Sequence, residues 1–284
     1  MAETGSPRTW FITGSSTGFG RLLAEEVLKA GDNVVATARK IEQVADLEEK
    51  YPERALALPL DVTKQEQIDA ALEKTLVRFG RVDVLVNNAG YGVTGAVEEV
   101  SDEELRPMYE TNVFGLLRVT RTFLPQFRKQ RSGHILNLSS IGGVTAGPGW
   151  GLYQGTKFAV EGISEALAQE IAPLGIRLTI IEPGPFRTDF LGRSGVEAAK
   201  RIEDYGTTAD NARRYRNDQH GKQPGDPLKA VQAMIQVVDS PNPPLRLLLG
   251  AAALKRLRQK LDAWQKEIAE WEPVTVGADF PEGE

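Results

Sequence analysis

Short apolar, β-branched runs recur along the chain, and each is followed by a longer stretch with helical spacing. TWFIT (9–13), NVVATA (33–38), ALALPL (55–60), VDVLVN (82–87), HILNLS (134–139), IRLTII (176–181) and LRLLLG (245–250) predict seven strands. Several are apolar throughout, as in strands covered on both faces, and do not alternate with polar residues. In the segment between the first two, GRLLAEEVLKAG, Leu23, Ala24, Val27 and Leu28 form one stripe, Glu25, Glu26 and Lys29 lie opposite, and Gly31 marks a stop. Repetition of this β-α-β unit predicts an α/β fold, doubly wound around a seven-stranded parallel sheet with helices on both faces. No internal repeat or linker interrupts the rhythm, so residues 1–284 read as a single domain with a flexible start (1–8) and a frayed end (277–284).

Two segments depart from the rhythm. Residues 190–226 are charged and interrupted, and so long an insertion between a strand and a helix is expected to be a substrate-binding lid or loop. Residues 251–271 predict a C-terminal amphipathic helix: Leu254, Leu257, Leu261, Trp264, Ile268 and Trp271 follow one another at alternating steps of three and four. That stripe is expected to pack on its own domain, with a subunit contact as the alternative.

Composition removes several kinds of chemistry. The chain has no cysteine, which excludes disulfides, thiolate metal sites and a cysteine nucleophile. His134 and His220 are its only histidines, too few for a histidine-rich metal centre; His134 reads as a strand residue and His220 as a solvated loop residue, and no metal is expected. The formal charge is −5 and the basic residues are dispersed, so no nucleic-acid partner is expected. Neither a signal-peptide pattern nor a membrane-length apolar run is present, which makes a cytoplasmic protein without a membrane partner the default expectation.

Directly after the first predicted strand comes TGSSTGFG, with Gly14, Gly18 and Gly20 leading into the first helix. Glycines there permit a tight turn and let a pyrophosphate approach backbone N–H groups at a helix N-terminus. The second strand bears on which nucleotide. A carboxylate usually grips an unmodified adenosine ribose at that strand's end, but VVATARKIE offers Arg39 and Lys40 instead. A guanidinium suits a 2′-phosphate, so NADP(H) is expected, with NAD(H) as the alternative and Thr17 as a further phosphate contact. In VEEVSDEEL, Ser101 and Glu104 read as a helix capping box, not as paired catalytic carboxylates.

Tyr153 and Lys157 stand four residues apart in YQGTK, on one face of a predicted helix. With TGSSTGFG, the Asp61-Val62 pair, NNAG (87–90), Asn112 in ETNVFG, Ser140 ending NLSS and the Pro183-Gly184 pair followed by Thr188, they form an ordered set. On that ordering the chain resembles the short-chain dehydrogenase/reductases. The resemblance implies a single-domain Rossmann fold and a nicotinamide-dependent carbonyl/alcohol oxidoreductase. Tyr153 would be its acid/base, and Lys157 would depress the tyrosine pKa and hold the nicotinamide ribose. Ser140 would hydrogen-bond the substrate oxygen, and Asn112 would anchor a proton-conducting water. Gly14, Thr17, Gly18, Phe19, Gly20 and Arg39 would surround the phosphates and ribose, with Asp61 and Val62 at the adenine. Asn87, Ala89 and Gly90 would pass beneath the dinucleotide, and Pro183, Gly184, Phe186 and Thr188 would hold its nicotinamide end. It implies a homodimer or homotetramer as well. One departure is Gly155-Thr156, where many members read Ala-Ser or similar.

Three readings remain open: an oxidoreductase, an NADP(H)-binding sensor or interaction protein without turnover, and epimerisation or dehydration through a transient ketone. Tyr91, Val93, Val144, Trp150, Phe186, Phe190, Leu191 and Tyr205 are candidates for the walls of a pocket, which suggests a bulky, mostly apolar carbonyl or alcohol. The Arg213, Arg214 and Arg216 cluster reads as a solvated helix face, with an anionic substrate tail as the alternative.

Overall fold

The computed structural model describes residues 6–192 and 194–280. Within them lie strands β1 (Thr9–Ile12), β2 (Asn33–Ala38), β3 (Ala55–Pro59), β4 (Val84–Asn87), β5 (Gly92–Thr94), β6 (Gly133–Leu138), β7 (Ile176–Pro183), β8 (Gly195–Glu197) and β9 (Arg246–Leu249). Seven of them, the seven predicted from the apolar runs, form one parallel sheet in the order β3-β2-β1-β4-β6-β7-β9. The strand order reverses between β1 and β4, which opens a crevice outside the carboxyl ends of the strands.

The helices are α1 (Gly18–Ala30), α2 (Ala45–Lys50), α3 (Gln65–Phe79), α4 (Asp102–Tyr109), α5 (Leu116–Gln130), α6 (Gly151–Ile171), α7 (Ala209–Gln219), α8 (Pro227–Asp239) and α9 (Ala251–Val276). On one sheet face, Leu23, Val27 and Leu28 of α1 and Ala230, Val231 and Met234 of α8 cover Trp10, Ile12, Val34 and Ala36. On the other, Ile68 of α3 and Val119, Phe123 and Phe127 of α5 cover Phe11, Val35, Leu85 and Ile135. Successive residues of β1 thus point into opposite cores, which is why its run is apolar without alternation. Full burial of each large side chain contributes about 1.5–3 kcal/mol.

His134 is buried in β6, as its place in an apolar run predicts. Thr179 Oγ1 donates to the Pro244 carbonyl (2.8 Å), so it accepts from His134 Nε2 (3.0 Å). Burial lowers the imidazole pKa to about 4 and keeps it neutral. The Ser101–Glu104 capping box is formed at the start of α4.

Three expectations need correction. The N-terminal expectation fails at Arg8, whose guanidinium and backbone N–H both bond Asp32 while a second guanidinium nitrogen reaches Asp239; residues 1–5 lie outside the described residues, as do 281–284 of the expected frayed end. Within the insertion, β8 pairs in parallel with β5, and α7 follows. Arg213 is not solvated but buried, paired with Glu99 (2.7 Å) and Asp210 (2.6 Å). Arg216 donates to the carbonyls of Leu191 (2.8 Å) and Gly195 (2.5 Å), which leaves only Arg214 on the exposed face. Finally, the stripe of α9 does not pack on the domain. Trp264, Ile268 and Trp271 are each more than half exposed, and Ala253 is the one buried residue of α9.

Glu99 also accepts from the N–H groups of Ala96 and Ile202, so this carboxylate, 1% exposed, ties the insertion to the body. Removing the guanidinium would strand it. Arg213→Ala is expected to cost about 3–5 kcal/mol in denaturant unfolding and to expose 195–220 to limited proteolysis, while Arg214→Ala stays within about 0.5 kcal/mol.

Candidate active site

The first loop is held by a threonine that sequence reasoning passed over. Thr13, just beyond β1, donates through Oγ1 to the Val86 carbonyl and accepts from the N–H groups of Asn88 (2.9 Å) and Ala89 (3.0 Å). Asn88 donates back to the carbonyls of Thr13 and Gly14, both at 2.9 Å. This lattice fixes TGSSTGFG against NNAG. Gly14 (φ +70°) and Gly18 (φ +59°) need the left-handed region, and a Cβ on Gly20 would meet the Gly14 carbonyl and Asn88. The result is a backbone cradle at the N-terminus of α1 that fits a dinucleotide's phosphates. Phe19 stacks edge-on with Phe186 (5.5 Å between centroids), and Thr188 approaches Gly18 from the loop after β7.

Other predicted cofactor positions divide by where their side chains go. Arg39 is exposed beyond β2, close enough to Tyr91 for its charge to lower that phenol's pKa against the larger effect of burial. Asp61 accepts from Thr63 through both N–H and hydroxyl, and Val62 packs on Gly115. Asn87 turns inward and donates to Thr120 (3.0 Å) and Asn137 (2.8 Å), so its carboxamide braces β4 and β6. Gly90 lies where a Cβ would crowd Asn112. Pro183 ends β7, Gly184 donates to the Leu249 carbonyl, and Phe186 closes the core over Gly225.

The four predicted catalytic residues converge. Tyr153 and Lys157 occupy the first turns of α6, and Ser140 lies at the end of β6. Asn112 sits in a π turn, Glu110–Gly115, that joins α4 to α5. Its carboxamide accepts from Tyr91 N–H (3.0 Å) and donates to the Tyr91 carbonyl (2.8 Å) and to Thr156 Oγ1 (3.1 Å). Ser140 Oγ accepts from Gly142 N–H (2.9 Å), and its hydroxyl lies near enough to Tyr153 to favour the ionised phenol. Lys157 Nζ donates to the Leu138 carbonyl (2.7 Å) and lies 5.9 Å from the centroid of the Tyr153 ring.

Burial overturns the expected depression of the tyrosine. It pushes the Tyr153 pKa well above its ordinary value, only partly opposed by the nearby Ser140 hydroxyl, because the Lys157 ammonium is turned to a carbonyl and not to the phenol. Burial also brings Lys157 down to about 8, against the pull of the Glu161 charge. At neutral pH the phenol therefore carries its proton beside a cationic amine. The arrangement can act as a proton donor.

Two features were not legible in the sequence. Gly155 has a steric reason: a Cβ there would stand 2.6 Å from the hydroxyl of Tyr109, which presses on α6 from the end of α4. Behind Lys157, the buried carboxylates Glu161 of α6 and Glu182 of β7 meet the exposed Arg246 of β9, whose Nε lies 3.2 Å from Glu161 and 3.4 Å from Glu182. Burial, with the neighbouring Glu161, pushes Glu182 up to about 7. Of the predicted pocket residues, Trp150 and Phe190 flank Tyr153 at 5.9 and 5.2 Å between centroids, and Tyr91 and Val93 join the same cluster. Tyr205 instead bonds Glu98 at the surface, and Leu191 is buried beneath the insertion.

A family model for short chain dehydrogenases matches residues 8–198. The chain is a short-chain dehydrogenase/reductase. Oxidoreductase BOA17 of Botryotinia fuckeliana is 38% identical over 95% of this chain and 99% of its own. A 3-ketodihydrosphingosine reductase of Bacteroides thetaiotaomicron is 37% identical over 86% of this chain and 88% of its own. A short-chain dehydrogenase crystal structure from Streptomyces avermitilis superposes with a TM-score of 0.90 at 44% identity, over 97% of this chain and all of that one. Among more distant members, a Brucella melitensis 3-ketoacyl-(acyl-carrier-protein) reductase carries NADH (TM-score 0.72, 28% identity, 85% and 96% covered) and a Thermococcus sibiricus alcohol dehydrogenase carries 5-hydroxy-NADP (0.70, 26%, 86% and 96%). The short-chain dehydrogenase/reductase described here is thus an oxidoreductase of a family whose members bind either nicotinamide dinucleotide. Among its described residues no helix is long and apolar enough to cross a membrane.

Two outcomes follow from this geometry. Gly155→Ala alone is expected to gain little of the roughly 1 kcal/mol that alanine offers a helix, because Tyr109 must move; Gly155→Ala with Tyr109→Phe recovers it, as read by thermal unfolding. Glu182 binds its proton more tightly in the folded chain than in the unfolded one. Its contribution is therefore full below pH 4.5 and is lost as pH rises through about 7. Glu182→Gln is expected to abolish that fall, a relative gain of order 3 kcal/mol at pH 8 over pH 4.5 in denaturant titrations.

Proposed function

We propose that this short-chain dehydrogenase/reductase interconverts a carbonyl and an alcohol on a bulky, mostly apolar substrate, with NADP(H) as its preferred cofactor. The observation that carries the reading is the convergence of Tyr153, Ser140 and Lys157 just beyond the end of β6, with the buried Lys157 Nζ donating to the Leu138 carbonyl and lying 5.9 Å from the Tyr153 ring centroid. The bound nicotinamide would supply or accept the hydride. In reduction Tyr153 gives its phenolic proton to the carbonyl oxygen as hydride reaches the carbon; in oxidation it takes the alcohol's proton. Ser140, its oxygen already satisfied by Gly142, aims its own proton at the same oxygen and stabilises the charge that develops there. Lys157 steadies the resulting phenolate and, with Asn112, returns a proton to it.

The phosphates would rest on the cradle of Gly14, Thr17, Gly18, Phe19 and Gly20, with Asp61 and Val62 at the adenine, Ala89 and Gly90 below, and Pro183, Gly184, Phe186 and Thr188 at the nicotinamide end. Asn87 would act through the strand that it braces. NADP(H) is supported by Arg39, exposed at the end of β2 where no carboxylate stands. A bulky apolar substrate is supported by the aromatic wall of Trp150 and Phe190 around Tyr153, and a long-chain ketone agrees with the name of the Bacteroides relative.

The test is NADPH oxidation over a panel of apolar ketones, aldehydes and keto acids. Tyr153→Phe is expected to lose about 100-fold or more in kcat while still binding NADPH, and Arg39→Ala to raise KM for NADPH about 10-fold with little change for NADH. Turnover unaffected by Tyr153→Phe would sink the proton-donor role, and a preference for NADH in the unaltered protein would sink the role of Arg39.

A further inference from the structure

The C-terminal helix α9 leaves the domain with its apolar stripe uncovered. Beyond Ala253, Leu254 is 41% exposed, Leu261 47%, Trp264 55%, Ile268 57% and Trp271 59%. A 26-residue helix is about 39 Å long, and little on its own domain holds it. Isolated helices derive most of their stability from packing an apolar face, so this one requires a partner surface.

The order of residues on the stripe specifies that partner. Leu254, Leu257, Leu261, Trp264, Ile268 and Trp271 are separated by steps of three, four, three, four and three, a series that reads the same in both directions. Two copies laid antiparallel therefore fall into register, with Leu254 against Trp271, Leu257 against Ile268, and Leu261 against Trp264. The charges flanking the stripe distinguish this from the parallel arrangement. The first half of the helix carries Lys255, Arg256, Arg258 and Lys260 against Asp262 alone; the second carries Glu267, Glu270 and Glu272 against Lys266 alone. Lys260 borders the stripe, with its ammonium 5.6 Å from the Trp264 ring centroid. Antiparallel pairing sets Lys260 of one copy beside Glu267 of the other and Arg258 beside Gln265. Parallel pairing sets Glu267 beside Glu272, a like-charge contact that the antiparallel register avoids.

We propose that α9 is a self-association element that joins two copies of this chain as an antiparallel helix pair, through a face separate from the catalytic crevice. The pairing is isologous, so it closes at two copies and does not propagate. It covers both exposed tryptophans. Any contact between the central helices of the domain is independent of it.

The chain has no cysteine, so introduced thiols are its only ones. The full-length Leu254→Cys/Trp271→Cys protein is expected to form a covalent dimer under mild oxidation, and neither single variant to do so. Same-site positions in an antiparallel pair are separated by roughly 25 Å along the axis. Crosslinking of each single variant alone would mean a parallel pair and overturn the proposal. So would the absence of any crosslink in the double variant while its circular dichroism and melting match the parent, whether α9 is then found bare or on anionic vesicles. Sedimentation of charge variants supplies an independent readout: Lys260→Glu and Glu267→Lys are each expected to weaken association roughly 3- to 10-fold, and the two together to restore it. Strengthening by Glu267→Lys alone would contradict the antiparallel register.

Discussion

Everything at the candidate site rests on the seam between the first and fourth strands. The strand order reverses there, and Thr13 stitches the two strands together by donating to β4 and accepting from the loop that follows it. One hydroxyl thus fixes the distance between the glycine loop and NNAG. Asn88, held by the same threonine, sets how closely α1 starts to the strand end. The remaining groups of the site are placed from this seam outward. Asn137, the β6 neighbour of Asn87, donates to Ser164 of α6, which connects the sheet to the helix that carries Tyr153 and Lys157.

Burial then sets protonation. A phenol and an amine withdrawn from water are both driven toward their neutral forms, the phenol upward and the amine downward. Burial would carry Lys157 below about 8 were its surroundings neutral at greater depth. The carboxylate pair behind it counters that trend: Glu161 draws Lys157 up, while Glu161 and Glu182, facing one arginine, cannot both be ionised without cost. Protonation behind the site is therefore coupled to the charge inside it. A destabilising carboxylate in a well-packed sheet is the kind of local conflict tolerated where function draws on it.

The parts of this molecule that were legible in the sequence are those where a local pattern determines the outcome. Apolar runs specify strands, and the ordered motifs specify which loops meet. Gly155 shows the limit: the sequence marks a helix-weakening residue, but its reason is the Tyr109 hydroxyl, which is brought in by a different helix. Arg213 shows the same limit from the other side. In RRYR it looks like one of three solvated cations, and only the pairing of β8 with β5 carries it onto Glu99. The tyrosine pKa was misjudged for a related reason, since the four-residue spacing puts Lys157 on the right face without saying where its ammonium points.

Amphipathicity is likewise silent about what covers a face. The stripe of α9 is as regular as that of α1, yet one is buried against the sheet and the other stands in solvent. The difference lies in where the preceding chain is anchored. Strand β9 is the sheet's edge, paired only with β7, and Gly250 at φ +94° turns the chain so that Ala253 meets Gly184 and everything after it departs from the surface. Local sequence therefore fixes that α9 is a helix with one apolar face. Which surface meets that face depends on the palindromic spacing and segregated charge along it, and those properties are meaningful only when two copies are considered together.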